Sequence, residues 1–223
     1  CSEDCSVYLY SDVIEQHDGQ TTAVSKHNPF IRLDSHKSPI TACSFNEMGN
    51  RFATASKDAT IIVWEYSYSS ESAKEVYSIP QAHLDWINDL AWSATSDFIL
   101  SASNDLTLKI WKAQDGVEKA KLVGHTATIN SCAFKYGCAV SASLDGTVKI
   151  WSHRGHEITT LYGHHGKINS CDLFVKLRPK LNVEIDREES EPMEIGSLWA
   201  EQVELEQIRE MQKAFESKRN NEF

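Results

Sequence analysis

No stretch of the chain approaches the roughly 18 consecutive apolar residues that cross a bilayer, so a membrane span is not expected. Cationic residues are the minority charge: 22 Lys and Arg stand against 32 Asp and Glu, a formal net charge of −10. That balance lacks the clustered Lys and Arg of a direct nucleic-acid binder and suits a protein with protein partners. The six cysteines, Cys1, Cys5, Cys43, Cys132, Cys138 and Cys171, form no CxxC pair and no compact group with zinc-finger spacing. They read as free, buried thiols in a reducing compartment, cytoplasm or nucleus. No signal peptide is present and the first residue is Cys, not Met, which reads as a piece of a longer chain.

What the sequence does contain is repetition. SKDATIIVW ends at Trp64, SNDLTLKIW at Trp111 and SLDGTVKIW at Trp151, 47 and 40 residues apart. An Asp stands six residues before each Trp: Asp58, Asp105 and Asp145. A His stands further upstream: His36, His83 and His125. A fourth, His164, opens KINSCDLFV, after which the pattern fails. At the other end, SEDCSVYLY carries Asp4 six residues before Tyr10, like the back half of a preceding unit with Tyr in the Trp slot. PFIRL is expected to close that partial unit.

Each whole unit reads as four short strands. In the last they are INSCAF, CAVSAS, TVKIW and EITTLY, alternating and rich in β-branched residues. KDAT, NDL, LDGT and HRGH supply turns. Four short strands every forty-odd residues predict blades of a β-propeller. The expected fold is all-β: about three complete blades, two part-blades and a C-terminal α-helical tail. The expected layout is the end of a truncated blade over 1–34, blades over 35–80, 81–124 and 125–163, and the start of a further blade over 164–175. An acidic linker (176–196) and an amphipathic helix (197–223) follow. The linker stretch 183–194 holds six acids and one base. The helix reading rests on Ser197 as a cap and an apolar stripe of Leu198, Leu205, Ile208, Met211 and Phe215. Such a helix needs docking or a partner helix to be stable. An open arc of blades would leave sheet faces bare, so the isolated chain is expected to be unstable unless something covers them.

These units resemble the WD-repeat family. The resemblance implies that the His, a strand Ser or Thr, the Asp and the Trp form one hydrogen-bonded chain inside each blade. Carried onto this sequence, the sets are His36, Thr54, Asp58, Trp64; His83, Ser101, Asp105, Trp111; and His125, Ser141, Asp145, Trp151. The hydroxyl is the open choice, because Ser56, Ser103 and Ser143 stand two residues later. The residue after each Trp is Glu65, Lys112 or Ser152, never the Asp of the family name, and only Gly124-His125 and Gly163-His164 keep the Gly-His pair.

A recurring Ser, His and Asp could suggest hydrolysis. An active site needs one set, however, and here the set recurs with the repeat. No catalytic site, cofactor or metal is expected. Cys43, Cys132 and Cys171 share a slot that Leu90 fills in another unit, which reads as a small core position rather than a ligand. The His164-His165 pair invites a metal reading, but His164 already has a place in the repeat.

The resemblance places partner contacts three and five residues after the His and just before the Asp. Those positions are Pro39, Thr41 and Lys57; Trp86, Asn88 and Asn104; Thr128, Asn130 and Leu144; Lys167 and Asn169. Trp86 is either an exposed anchor or a ring packed beneath a neighbouring loop. Asn88, Asn130 and Asn169 either line a polar ring or serve turn geometry. A narrower resemblance, carried by IPQAHLDWINDLAWS and the KYGC link, is to the WD-repeat regions of telomerase-associated, vault-particle components. It implies a non-catalytic scaffold segment that binds proteins, touches RNA only through a larger complex, and has no small-molecule substrate. The alternatives are a propeller of an apoptosome-type nucleotide switch or a substrate-receptor adaptor.

Overall fold

A computed structural model describes residues 3–9, 12–17, 20–25, 31–135 and 137–173. Tyr10, the acidic linker and the C-terminal helix lie outside the described residues. Every regular element among those described is a strand, and no helix there is long and apolar enough to cross a membrane. The fold is all-β.

The chain opens with β1 (Ser6–Leu9), β2 (Asp12–His17), β3 (Gln20–Ser25) and β4 (Ile31–Asp34). β1 pairs antiparallel with β4, as the closing strand of a partial blade should. The intervening residues make a separate hairpin, β2 on β3, that the repeat pattern did not anticipate. Its signal was present: Asp18-Gly19 is the dipeptide that favours a two-residue hairpin loop.

Three four-stranded meanders follow. The first holds β5 (Ile40–Phe45), β6 (Arg51–Ser56), β7 (Ile61–Ser67) and β8 (Ser72–Ile79). The second holds β9 (Ile87–Trp92), β10 (Phe98–Ser103), β11 (Thr107–Lys112) and β12 (Glu118–Val123). The third holds β13 (Ile129–Lys135), β14 (Cys138–Ser143), β15 (Val148–Ser152) and β16 (Glu157–Leu161). In each sheet every strand pairs with its sequence neighbour, so each is one blade.

The second strand of a blade is buried on both faces, which is why FILSAS and CAVSAS read as continuous apolar and small runs. Side chains alternate across the strand. Ile99 joins Ile61, Val63, Ile79 and Trp92 in a core between the first and second blades. Leu100, Leu108 and Ile110 join Ile129, Phe134 and Trp151 in a core between the second and third. Val7, Leu9 and Leu33 of β1 and β4 pack on Phe52, Ile62 and Trp64 of the first blade, where an outer pair of strands of a preceding blade would lie. Asp4 repeats the turn chemistry of the whole units: its carboxylate accepts the amide of Ser6 at 3.0 Å.

The shared cysteine slot is not uniformly buried. Cys132 is buried, Cys171 is half-buried and Cys43 is exposed. The reason is the neighbour. Cys132 lies within the core of the second and third blades, whereas no innermost strand precedes β5 among the described residues.

Candidate functional site

Each blade contains a chain of hydrogen bonds that starts at its Trp. The indole N–H of Trp64, Trp111 and Trp151 donates to Thr54, Ser101 and Ser141 at 3.0, 2.9 and 2.8 Å. The same hydroxyl lies 2.8, 2.7 and 2.7 Å from Nε2 of His36, His83 and His125. On the far side of the ring, Nδ1 lies 2.9 Å from Asp105 in the second blade and 2.8 Å from Asp145 in the third. One direction satisfies every group: indole to hydroxyl, hydroxyl to Nε2, Nδ1–H to carboxylate. In the first blade His36 Nδ1 lies 2.9 Å from Thr60 Oγ1 instead, with Asp58 further off at 3.4 Å.

The Asp is the junction between two loops. Its second oxygen also accepts the amide after the His: Lys37 at 2.7 Å, Leu84 at 3.0 Å and Thr126 at 3.0 Å. Its first oxygen accepts the amide of the Thr two residues on: Thr60 at 2.9 Å, Thr107 at 3.0 Å and Thr147 at 2.9 Å. Burial alone would raise the carboxyl pKa of Asp105, but His83, Thr107 and the Leu84 amide hold it well below the usual range. Asp145 is held down in the same way, against burial, by Thr147, the Thr126 amide and His125. Burial pulls His36 and His125 below the ordinary imidazole value, against the attraction of Asp58 and Asp145, so both rings are neutral at pH 7.

The threonines Thr60, Thr107 and Thr147 belong to this site and were not picked out from the sequence. Their signal was their recurrence two residues after each Asp. The alternative hydroxyls have a different task. Ser56, Ser103 and Ser143 accept the Asp amide at 3.1 Å each and donate to Ser38 O, Trp86 O and Thr128 O. They lace the turn after the second strand to the loop before the first.

The hydroxyls paired with His, those of Thr54, Ser101 and Ser141, belong to residues with no exposed surface. A nucleophile must reach its substrate, and these cannot. Burial raises the Cys132 thiol, and pushes Cys171 up to about 11, so neither is a thiolate at neutral pH. Among the described residues no three His, Cys, Asp or Glu side chains gather as a metal site. His164 and His165 are exposed.

Of the positions flagged for partner contact, Pro39, Lys57, Trp86, Asn104, Thr128 and Leu144 fall on the laced loops. The residue before each Asp donates its amide to the residue three after the His: Lys57 to Pro39, Asn104 to Trp86 and Leu144 to Thr128. Trp86 is 47% exposed, and the ammonium of Lys57 lies 4.6 Å from its ring centroid. Lys167 and Asn169 are exposed, Thr128 and Leu144 half-buried. The other polar positions reach forward instead. Asn88 donates to Ile129 O at 2.8 Å and to Asn104 at 2.7 Å. Asn130 donates to Ile168 O at 3.1 Å and to Asn169 at 3.3 Å, and Thr41 to Ile87 O. These side chains hook one blade to the next, in line with Asp89, whose carboxylate accepts the Cys132 amide at 2.9 Å.

Four-stranded blades, each closed by a Trp–hydroxyl–His chain that ends on Asp105 or Asp145 directly and reaches Asp58 through Thr60, define a WD-repeat β-propeller. The chain belongs to the TEP-1 second beta-propeller family, whose model matches residues 1–186. It is 29% identical over 147 residues to Telomerase protein component 1 of Mus musculus, covering 66% of this chain and 6% of that protein. The Rattus norvegicus counterpart is 28% identical over 178 residues, 80% of this chain and 7% of that protein. The chain therefore spans under a tenth of the length of these relatives. The U5 small nuclear ribonucleoprotein 40 kDa protein of Dictyostelium discoideum is 27% identical over 146 residues, 64% of this chain and 40% of that protein. Among solved structures, that of U3-55K superposes with a TM-score of 0.58 at 25% identity, over 62% of this chain and 43% of that one.

Proposed function

We propose that this segment is a non-catalytic docking platform for protein partners within a large telomerase- or vault-type ribonucleoprotein scaffold. The observation that carries the reading is a contrast. Every Ser, His and Asp set is sealed inside a blade, while Trp86, with Lys57 over its ring, stands half out of the surface on the laced loops. The contact face is made of Lys57, Trp86, Asn104, Thr128, Leu144, Lys167 and Asn169, with Asn88 and Asn130 supporting it from the inner strands. RNA is reached through the larger complex, in keeping with the net charge of −10. The setting is cytoplasm, nucleus or both, in keeping with relatives named as telomerase and small nuclear ribonucleoprotein components.

The test is quantitative co-purification from RNase-treated lysate with full-length protein, wild type against Trp86→Ala. Loss of a defined set of proteins in the variant supports the platform. Retention of every partner by the variant, or release of all partners by RNase from both, overturns it.

A further inference from the structure

Resting on that reading, we propose that the loops at the end of the second blade, with Lys57 of the first, take an extended acidic peptide that seats an apolar side chain beside Trp86. Three observations carry this.

The first is apolar surface held in place. Leu84 is 90% exposed, Trp86 47% and Leu106 38%. All three stand on one pair of loops clipped through Asp105, whose carboxylate accepts the amides of Leu84 and Thr107 and whose neighbour Asn104 bonds the carbonyl of Trp86. An exposed aromatic beside two leucines on rigid loops is the composition of a binding anchor.

The second is a strained backbone. Leu106 has φ of 70°, in the left-handed region where the third blade uses Gly146 at 82°. A branched side chain there is unfavourable. The turn nonetheless keeps a leucine, and it is partly exposed.

The third is charge. The carboxylates Asp58, Asp105 and Asp145 are nearly covered and each is bound by several donors. The other acid on these loops, Asp85, is exposed and accepts the amide of its neighbour Trp86 at 2.6 Å. Lys37, Lys57 and Lys167 are exposed. Exposed lysines thus outnumber exposed acids on these loops, on a protein with net charge −10. A carboxylate of the peptide would pair with Lys57 while the adjoining apolar side chain packs on the ring edge and the leucines. A nucleic acid fits less well: stacking a base on Trp86 would compete with Lys57, and three lysines are a small phosphate footprint for an acidic protein.

The experiment uses the 223-residue chain and immobilised 12-residue peptides of three compositions: acidic with Leu and Phe, the same with Lys for every acid, and acidic with Gly and Ser for every apolar residue. Only the first is expected to bind. Trp86→Ala should weaken it at least about tenfold. Lys57→Glu should weaken it severalfold, with a difference that fades at 0.5 M salt. Both variants should melt as the wild type does, since both side chains are exposed. Equal binding of the basic set, no binding of any set, or preferential binding of poly(U) RNA would overturn the proposal. If no peptide binds while Trp86→Ala still loses proteins in co-purification, the platform stands and the acidic peptide falls.

Discussion

Ile99 and Leu100 are neighbours in the chain and belong to different cores. One faces the first blade, the other the third. Truncating either to Ala is expected to lower stability by about 2–5 kcal/mol, since both are fully buried and well packed. Hydrogen exchange separates them. Ile99→Ala should raise exchange in β6 and β7, and Leu100→Ala in β13 and β14. Identical exchange patterns for the two variants would contradict separate cores.

Asp105→Asn replaces an oxygen that faces two donors by an amide that also donates. Whichever way the amide turns, its NH2 faces either the His83 ring and the Leu84 amide or the Thr107 amide, so at least one donor meets a donor. A loss of about 2 kcal/mol is expected in urea unfolding. Asp58→Asn should lose less, because His36 lies 3.4 Å from Asp58 and bonds Thr60 instead. Equal losses at the two positions would show that the Nδ1 contact adds nothing.

Acid should destabilise the protein in two steps. His36 and His125 have folded pKa values below their unfolded ones, so the unfolded chain takes up protons first and stability declines as pH falls below about 6.5. Asp58, Asp105 and Asp145 are also depressed, so their contribution is complete above about 4 and is lost as pH falls further. Urea midpoints between pH 3 and 8 read both. A midpoint that rises from pH 7 to pH 5 would contradict the histidine assignment.

Leu106→Gly should raise the melting temperature by relieving a left-handed residue, a gain of up to about 1 kcal/mol. Gly146→Ala should do the reverse: at φ of 82° a Cβ is strained and would sit 3.2 Å from the carbonyl oxygen of Gly166. A pair of thermal melts decides. If Leu106→Gly lowers the melting temperature, the side chain is packing where it stands.

A thiol reagent at neutral pH should label Cys43 in the folded protein and leave Cys132 untouched until denaturant is added. Mass spectrometry of the labelled peptides reads the two sites. Labelling of Cys132 without denaturant would mean that the second and third blades part readily.

The blades and their hydrogen-bonded chains left a mark in the sequence because each needs certain residue types at fixed strand positions. A repeat of His, Ser, Asp, Thr and Trp at near-constant spacing therefore reads as a repeated sheet. Thr60, Thr107 and Thr147 carry the same mark, two residues after each Asp, but a Thr in a turn is so common that the spacing alone does not single them out. The β2–β3 hairpin does not follow from the repeat for the opposite reason: it interrupts a unit, and only the local Asp18-Gly19 dipeptide points to it. Cys43 and Cys132 hold the same slot in the sequence and differ in exposure, because exposure depends on which strand lies opposite. The forward bonds of Thr41, Asn88 and Asn130 were not legible for a related reason. A side chain that serves the next blade shows itself only when the next blade is in place.

Those forward bonds give the arc a direction in time. Asn88 fastens to Ile129 and Asp89 to Cys132, residues made some forty positions later. On a ribosome, which delivers the N-terminal end first, the second blade can form its own meander early. It stays unlatched until the first strand of the third has emerged. Each blade is thus closed by its successor, and a nascent chain that has emerged only as far as residue 125 would hold the second blade folded but loose.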